Sequence, residues 1–193
     1  MCFLLLFCMP AISEENSLHY WENLKNIRVY VPSKSEYTAL MKKAFDEWEN
    51  ASKGKIRFIY VSAPHLAQNV VVFTDKFSDN KLGTSATKKA VVCYPIYKSV
   101  NGKPQKVCDE RNTTSYAVNK TITISSMYPK SNSKMTNDEI YSVMLHEIGH
   151  SIGLKHSENK NDLMYPRLYE HEVKSITEND VKALYDIYGW KYK

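Results

Sequence analysis

The chain has 193 residues, 43% of them hydrophobic and 12% aromatic, which suits one domain with a sizeable core and excludes a disordered or low-complexity chain. The net charge of +5 is mild and reads as spread along the chain, an ordinary solvated basic surface. No Lys/Arg block interleaved with aromatics points to nucleic acid.

Met1 to Ile12 is almost entirely apolar and too short to span a membrane. Ala11 and Ser13 fit the small-residue sites of signal cleavage, so residues 1–13 are predicted to be a signal peptide and the protein to be secreted. No lysine or arginine precedes the apolar stretch, which departs from the usual pattern. Lipid attachment at Cys8 is not expected, because Phe7 stands where a small residue is needed. Residues 14–26 are polar and predict a loose N-terminal arm. A single folded domain is expected over 27–193.

Ile27 to Val31 alternates and predicts a strand stopped by Pro32. Ser33 and Glu36 have capping-box spacing, and Tyr37, Leu40, Met41, Ala44, Phe45 and Trp48 then form a helical stripe. Ile56–Val61 and Val70–Thr74 predict further strands, the second nearly all apolar and so central in a sheet. Residues 76–120 are harder to read, with a strand-like stretch at Ala90 to Tyr97. Thr121 to Ser125 predicts the last strand. His65, before this region, reads as a surface loop residue.

Cys93 and Cys108 lie beyond the signal, and an even pair in a secreted domain suggests one disulfide around Asn101–Pro104. Such a bridge contributes about 3 kcal/mol in the chain-entropy model. Two free buried thiols are the alternative.

Thr136 and Glu139 form a second capping box, followed by Ile140, Val143, Met144 and Ile148 on the buried side of a helix. The same helix carries the start of HEIGHSIGLKH, residues 146–156. His146 and His150 are four apart and share a helix face. Gly153 can take the left-handed conformation that ends a helix and turns the chain, returning His156 as a third ligand. Three imidazoles and one exchangeable position are the open coordination of a catalytic zinc. Glu147 is placed to reach water at the metal without occupying it. This extended spacing arises by chance in roughly one chain of this length in 100,000.

Asn161 to Pro166 follows with tight-turn composition around Met164. Thr177 then caps a final helix bearing Val181, Leu184 and Tyr188, ended by Gly189. His171 lies outside the motif and reads as an exposed loop residue.

The histidine motif and the methionine turn together resemble the metzincin metallopeptidases. Ser157 after the third histidine, and Leu163-Met164-Tyr165-Pro166, look most like a matrixin. In some metzincins a tyrosine two residues after the methionine joins the metal. Pro166 stands there, so no tyrosine ligand is expected.

The resemblance implies an α+β metzincin catalytic domain. Its parts are a twisted, mostly parallel sheet of about five strands with one antiparallel edge strand, the active-site helix, the Met-turn and a C-terminal helix. Ala90 to Tyr97 is the candidate for the edge strand, along which an extended peptide would add as a further strand. His146, His150 and His156 would hold one catalytic zinc, with Glu147 as general base and Met164 beneath the metal. Tyr165, Pro166, Arg167, Leu168 and Tyr169 would line the pocket for the side chain after the cleaved bond. No cysteine switch and no structural zinc or calcium site is expected. The implied function is a monomeric, secreted, zinc-dependent endopeptidase acting on extended peptide or protein substrates. The alternative is a catalytically silent, zinc-containing binding or toxin-like protein on the same fold.

Overall fold

The computed structural model describes residues 21, 23–93, 96–101, 103–107 and 113–192. The expected signal, most of the expected arm, and Cys108 with its pairing to Cys93 lie outside the described residues.

The frame is a five-stranded sheet built from β1 (Ile27–Tyr30), β2 (Phe58–Tyr60), β3 (Asn69–Thr74), β4 (Gly83–Cys93) and β7 (Thr113–Ser125). Its order is β2-β1-β3-β7-β4. Four strands run parallel, and β4 runs antiparallel to β7 at the edge. This is the mixed sheet the resemblance implied. β3 is central, yet only one of its faces is closed: Val71 is 1% exposed and Val72 is 41% exposed. β5 (Ile96–Val100) and β6 (Lys103–Val107) pair as a separate hairpin, with Asn101 at φ +53° in its turn.

The edge strand begins earlier than the expected Ala90–Tyr97, a segment that spans the end of β4 and the start of β5. The polar run Gly83 to Lys88 conceals it. An antiparallel edge strand needs apolar side chains on one face at most, so Thr84, Ser85 and Thr87 fit without a hydrophobic run. β7 is likewise longer than Thr121–Ser125, because its first half pairs with β4 and not with β3.

Helix α1 (Thr38–Ala51) buries Met41, Ala44, Phe45 and Trp48, the expected stripe. Phe45 meets Phe58 of β2 edge-on at 4.8 Å. The Ser33–Glu36 capping box does not form. The chain turns first, with the Thr38 hydroxyl donating to the carbonyls of Pro32 and Ser35, and the helix starts without a side-chain cap. Trp48 Nε1 donates to the Leu145 carbonyl at 2.8 Å, which fixes α1 against α2 (Asn137–Ser151). α3 (Glu178–Ile187) docks through buried Leu184 and Tyr185, and the Tyr185 hydroxyl reaches the Ser52 carbonyl at the end of α1.

The domain also reaches into the expected arm. Trp21 is 4% exposed and donates Nε1 to the Ser151 carbonyl at 2.8 Å, while Leu24 packs against the core. Trp21 and Leu24 of that segment are therefore docked, and Trp21 holds the C-terminal end of α2.

Candidate metal centre

α2 starts as its sequence predicts. The Thr136 side chain accepts from Glu139 N, and the Glu139 carboxylate accepts from Thr136 N. The other Glu139 oxygen accepts from the Tyr128 hydroxyl and from His171 N, tying two loops to the helix start. At the far end Gly153, with φ +103°, turns the chain, and Leu154 N closes back on the Gly149 carbonyl.

That turn brings the three histidines together. The candidate ligand nitrogens of His146, His150 and His156 all lie within 4.8 Å of one another. His146 Nδ1 donates to the Leu163 carbonyl at 2.8 Å, and His150 Nδ1 to the Leu154 carbonyl at 2.9 Å. A nitrogen facing a carbonyl carries the proton, so Nε2 of both rings is left with its lone pair. His146 Nε2 is buried without a hydrogen-bond partner, and His150 Nε2 stands 3.1 Å from His156 Nε2. Ring nitrogens at that distance need a proton or a cation between them. The donor set therefore fits one zinc, with the second nitrogen of two rings oriented by backbone carbonyls.

Burial, and then the neighbouring His150, holds the His146 imidazole well below its ordinary protonation range. Burial, and then His156, pushes His150 down to about 4. In the metal-free protein the unfolded chain, whose histidines titrate near 6.5, takes up protons first as pH falls. The histidine contribution to stability, complete above pH 6.5, should then fall progressively toward pH 4, where His150 itself protonates in the folded state. Buried Glu147 contributes with the opposite sign over this range, so thermal melts of Glu147→Gln protein in chelator check this; a flat profile of that variant contradicts it.

Glu147 is fully buried beside the triad, and neither carboxyl oxygen has a hydrogen-bond partner. Burial pushes its pKa well above the carboxylate range, opposed only by the charge of Lys81. The close packing comes from Gly83 at the start of β4, where a Cβ would lie 2.6 Å from Glu147 Cγ. No local spacing in the sequence marks Gly83, since the approach crosses 64 positions.

Met164 packs against α2 at Gly149, where an added Cβ would stand 2.5 Å from its sulfur. Two buried carboxylates shape this turn. Asp180 accepts from Leu163 N, Met164 N and Thr177 N. Asp162 accepts from Ser157, Asn159, Thr177 and Asn179 side chains, and Ser157 N donates to the Met164 carbonyl. Each aspartate joins local partners to distant ones: Asp180 caps α3 through Thr177 and also holds the Met-turn, and Asp162 holds Ser157 and Asn159 and also reaches Thr177 and Asn179.

A small recess adjoins His146, lined by Val143, Leu163, Tyr165, Arg167 and Leu168, with Ser142 and Lys174 completing it. Of the five residues from Tyr165 to Tyr169, Tyr165, Arg167 and Leu168 line this recess. Lys174 was missed: it is buried, and Nζ donates to the Lys160 and Asp162 carbonyls. His65 and His171 are exposed and stand apart from the triad, as expected.

Over 176 residues, 88% of this chain, it is similar to human neutrophil collagenase at 25% identity, covering 33% of that protein. Human matrix metalloproteinase-26 is 36% identical over 58 residues, 29% of this chain and 22% of that protein. A putative matrix metalloproteinase of Trichoplusia ni ascovirus 2c is 37% identical over 54 residues, 28% of this chain and 10% of that protein. These matches thus span between a tenth and a third of the relatives' lengths. The matrixin family model matches residues 21–189, from the docked Trp21 to the glycine that ends α3, and the chain belongs to the matrixin family.

Proposed function

We propose that the chain is a zinc-dependent endopeptidase that cuts extended polypeptides outside the cell. The observation that carries this reading is the Glu147 carboxyl, buried and free of partners beside three converging imidazoles. A binding protein has no use for such a group, whereas a proton carrier requires one. His146, His150 and His156 would hold a zinc ion, which would supply Lewis acidity toward water and toward a peptide carbonyl. Glu147 takes a proton from the water whose oxygen bonds to the carbonyl carbon. As the C–N bond breaks, Glu147 gives that proton to the departing amine nitrogen. Burial raises its pKa, which favours holding the proton between the two transfers. The peptide lies along β4, and the side chain after the cut enters the recess beside His146.

Export rests on the apolar first dozen residues and on membership of the family. Among the described residues no helix is long and apolar enough to cross a membrane. The test of the activity is digestion of an unfolded protein substrate. Cleavage should stop with a zinc chelator and return with zinc. Folded, zinc-loaded protein that cuts nothing would instead favour the silent binding protein.

Gly83→Ala probes the same geometry. The added Cβ meets Glu147 Cγ at 2.6 Å and Val143 Cγ1 at 2.8 Å, so the carboxyl must move. Displacement by about 1 Å should lower kcat about a hundredfold while KM changes little. Steady-state kinetics on the folded variant check this; parent-level kcat would contradict it.

A further inference from the structure

The positive charge is not spread along the chain, as its sequence first suggested. The excursion that leaves the sheet on β4 and returns on β7, residues 83–125, carries seven Lys and Arg against two Asp and Glu. That surplus equals the whole net charge of +5; the rest of the chain holds nineteen residues of each sign. Lys88, Lys98, Lys103 and Lys106 are exposed, and among the described residues none of the four is in an ion pair. Lys98 pairs with Gln105 and Lys103 with Val100, so the two lysines fall on one face of the β5–β6 hairpin, diagonal to each other. Like charges so placed disfavour the hairpin unless a counter-charge joins them.

The same excursion begins at the catalytic carboxyl, where Gly83 packs on Glu147. At about 3.4 Å per residue, Lys88 lies roughly 17 Å along β4 from Gly83 and the strand end roughly 34 Å. A shift in pairing between Lys88 and Lys89 marks where the ribbon departs from regular register. A polypeptide lying on β4 with its scissile bond at Glu147 is thus carried directly toward the lysines.

We propose that this ribbon is an exosite that captures an acidic segment of the polypeptide substrate, roughly five to ten residues from the bond that is cut. The inference rests on the endopeptidase reading above. Its occupant follows from charge complementarity and from continuity with the strand that borders the catalytic carboxyl. Capture of this kind raises encounter rate and weakens with salt.

Two fluorogenic peptides test it, sharing one cleavable core and bearing a run of glutamates or of glutamines at that distance, placed on either side in separate versions. At low salt the glutamate peptide should show about tenfold higher kcat/KM, an advantage lost near 0.5 M salt. The combined variant K88Q/K98Q/K103Q/K106Q should lose that advantage yet cut the tail-less core at the parent rate. Equal kcat/KM for the two tails, or an advantage that survives the four substitutions, overturns the proposal. Fluorescence anisotropy of the labelled glutamate tail alone reads the exosite without turnover: the parent should bind about tenfold tighter than the variant. Absence of lysine-dependent tail binding overturns the exosite. Such binding with no cutting of any core overturns the endopeptidase reading and leaves the acidic-segment site supported. Lysine-dependent binding of heparin without discrimination between the tails assigns the ribbon to a glycan and overturns the proposal.

Discussion

Glu147→Gln should lower kcat about a thousandfold while one zinc per chain is retained. The substitution keeps shape and volume, and the Glu147 oxygens have no hydrogen bonds to lose. It removes only the capacity to take and return a proton. The imidazoles, oriented by the Leu163 and Leu154 carbonyls, are unaffected, so metal content should match the parent. A second consequence appears in chelator. Burial raises the Glu147 pKa well above 4.5, so between the unfolded and folded pKa values the folded chain holds a proton that the unfolded chain releases. This proton linkage favours folding most at low pH and is progressively lost as pH rises from about 4.5 through the folded pKa. The metal-free glutamine variant, free of that loss, should gain on the parent as pH rises and converge with it near pH 4.5. Turnover, zinc stoichiometry and melting together check the prediction. Parent-level cleavage by the variant would remove Glu147 from the mechanism.

Asp180→Ala should be the most damaging change away from the imidazoles. One carboxylate satisfies Leu163 N, Met164 N, and both the backbone and hydroxyl of Thr177. Truncation strands buried N–H groups in the Met-turn and removes the capping box of α3. The expected cost is about 3 kcal/mol. The Leu163 carbonyl that orients His146 belongs to the same turn, so zinc affinity should fall about tenfold or more. Asp180→Asn keeps the shape and one acceptor, and should lie between the two. Denaturant unfolding and competitive zinc titration measure both effects. An alanine variant with parent stability and affinity would show that the turn holds itself.

What could be read in the chain divides by the range of the interactions. The Thr136–Glu139 box, the stripe of α2, the histidine spacing and Gly153 all act within a few residues, and each stands where its pattern placed it. The Ser33–Glu36 box had the same spacing, yet a competing turn at Pro32 and Ser35 took the Thr38 hydroxyl and delayed α1. β4 was hidden because an edge strand tolerates polar residues on both faces. Gly83 and Lys174 shape the site through partners distant in the chain, and Asp162 and Asp180 each add distant partners to local ones. Only the folded arrangement of those partners gives these side chains a recognisable purpose.

The excursion between β4 and β7 has a further consequence, in colloidal behaviour. Thr87 and Lys120 are cross-strand partners, so a tight turn joining them would excise residues 88–119 and keep the strand pairs from Gly83 to Thr87. Such a shortened chain loses six basic and two acidic residues, leaving a net charge of +1. Near neutral pH it would approach its isoelectric point, where mutual repulsion fades and molecules associate. The ribbon thus also supplies the charge that keeps an otherwise neutral body dispersed.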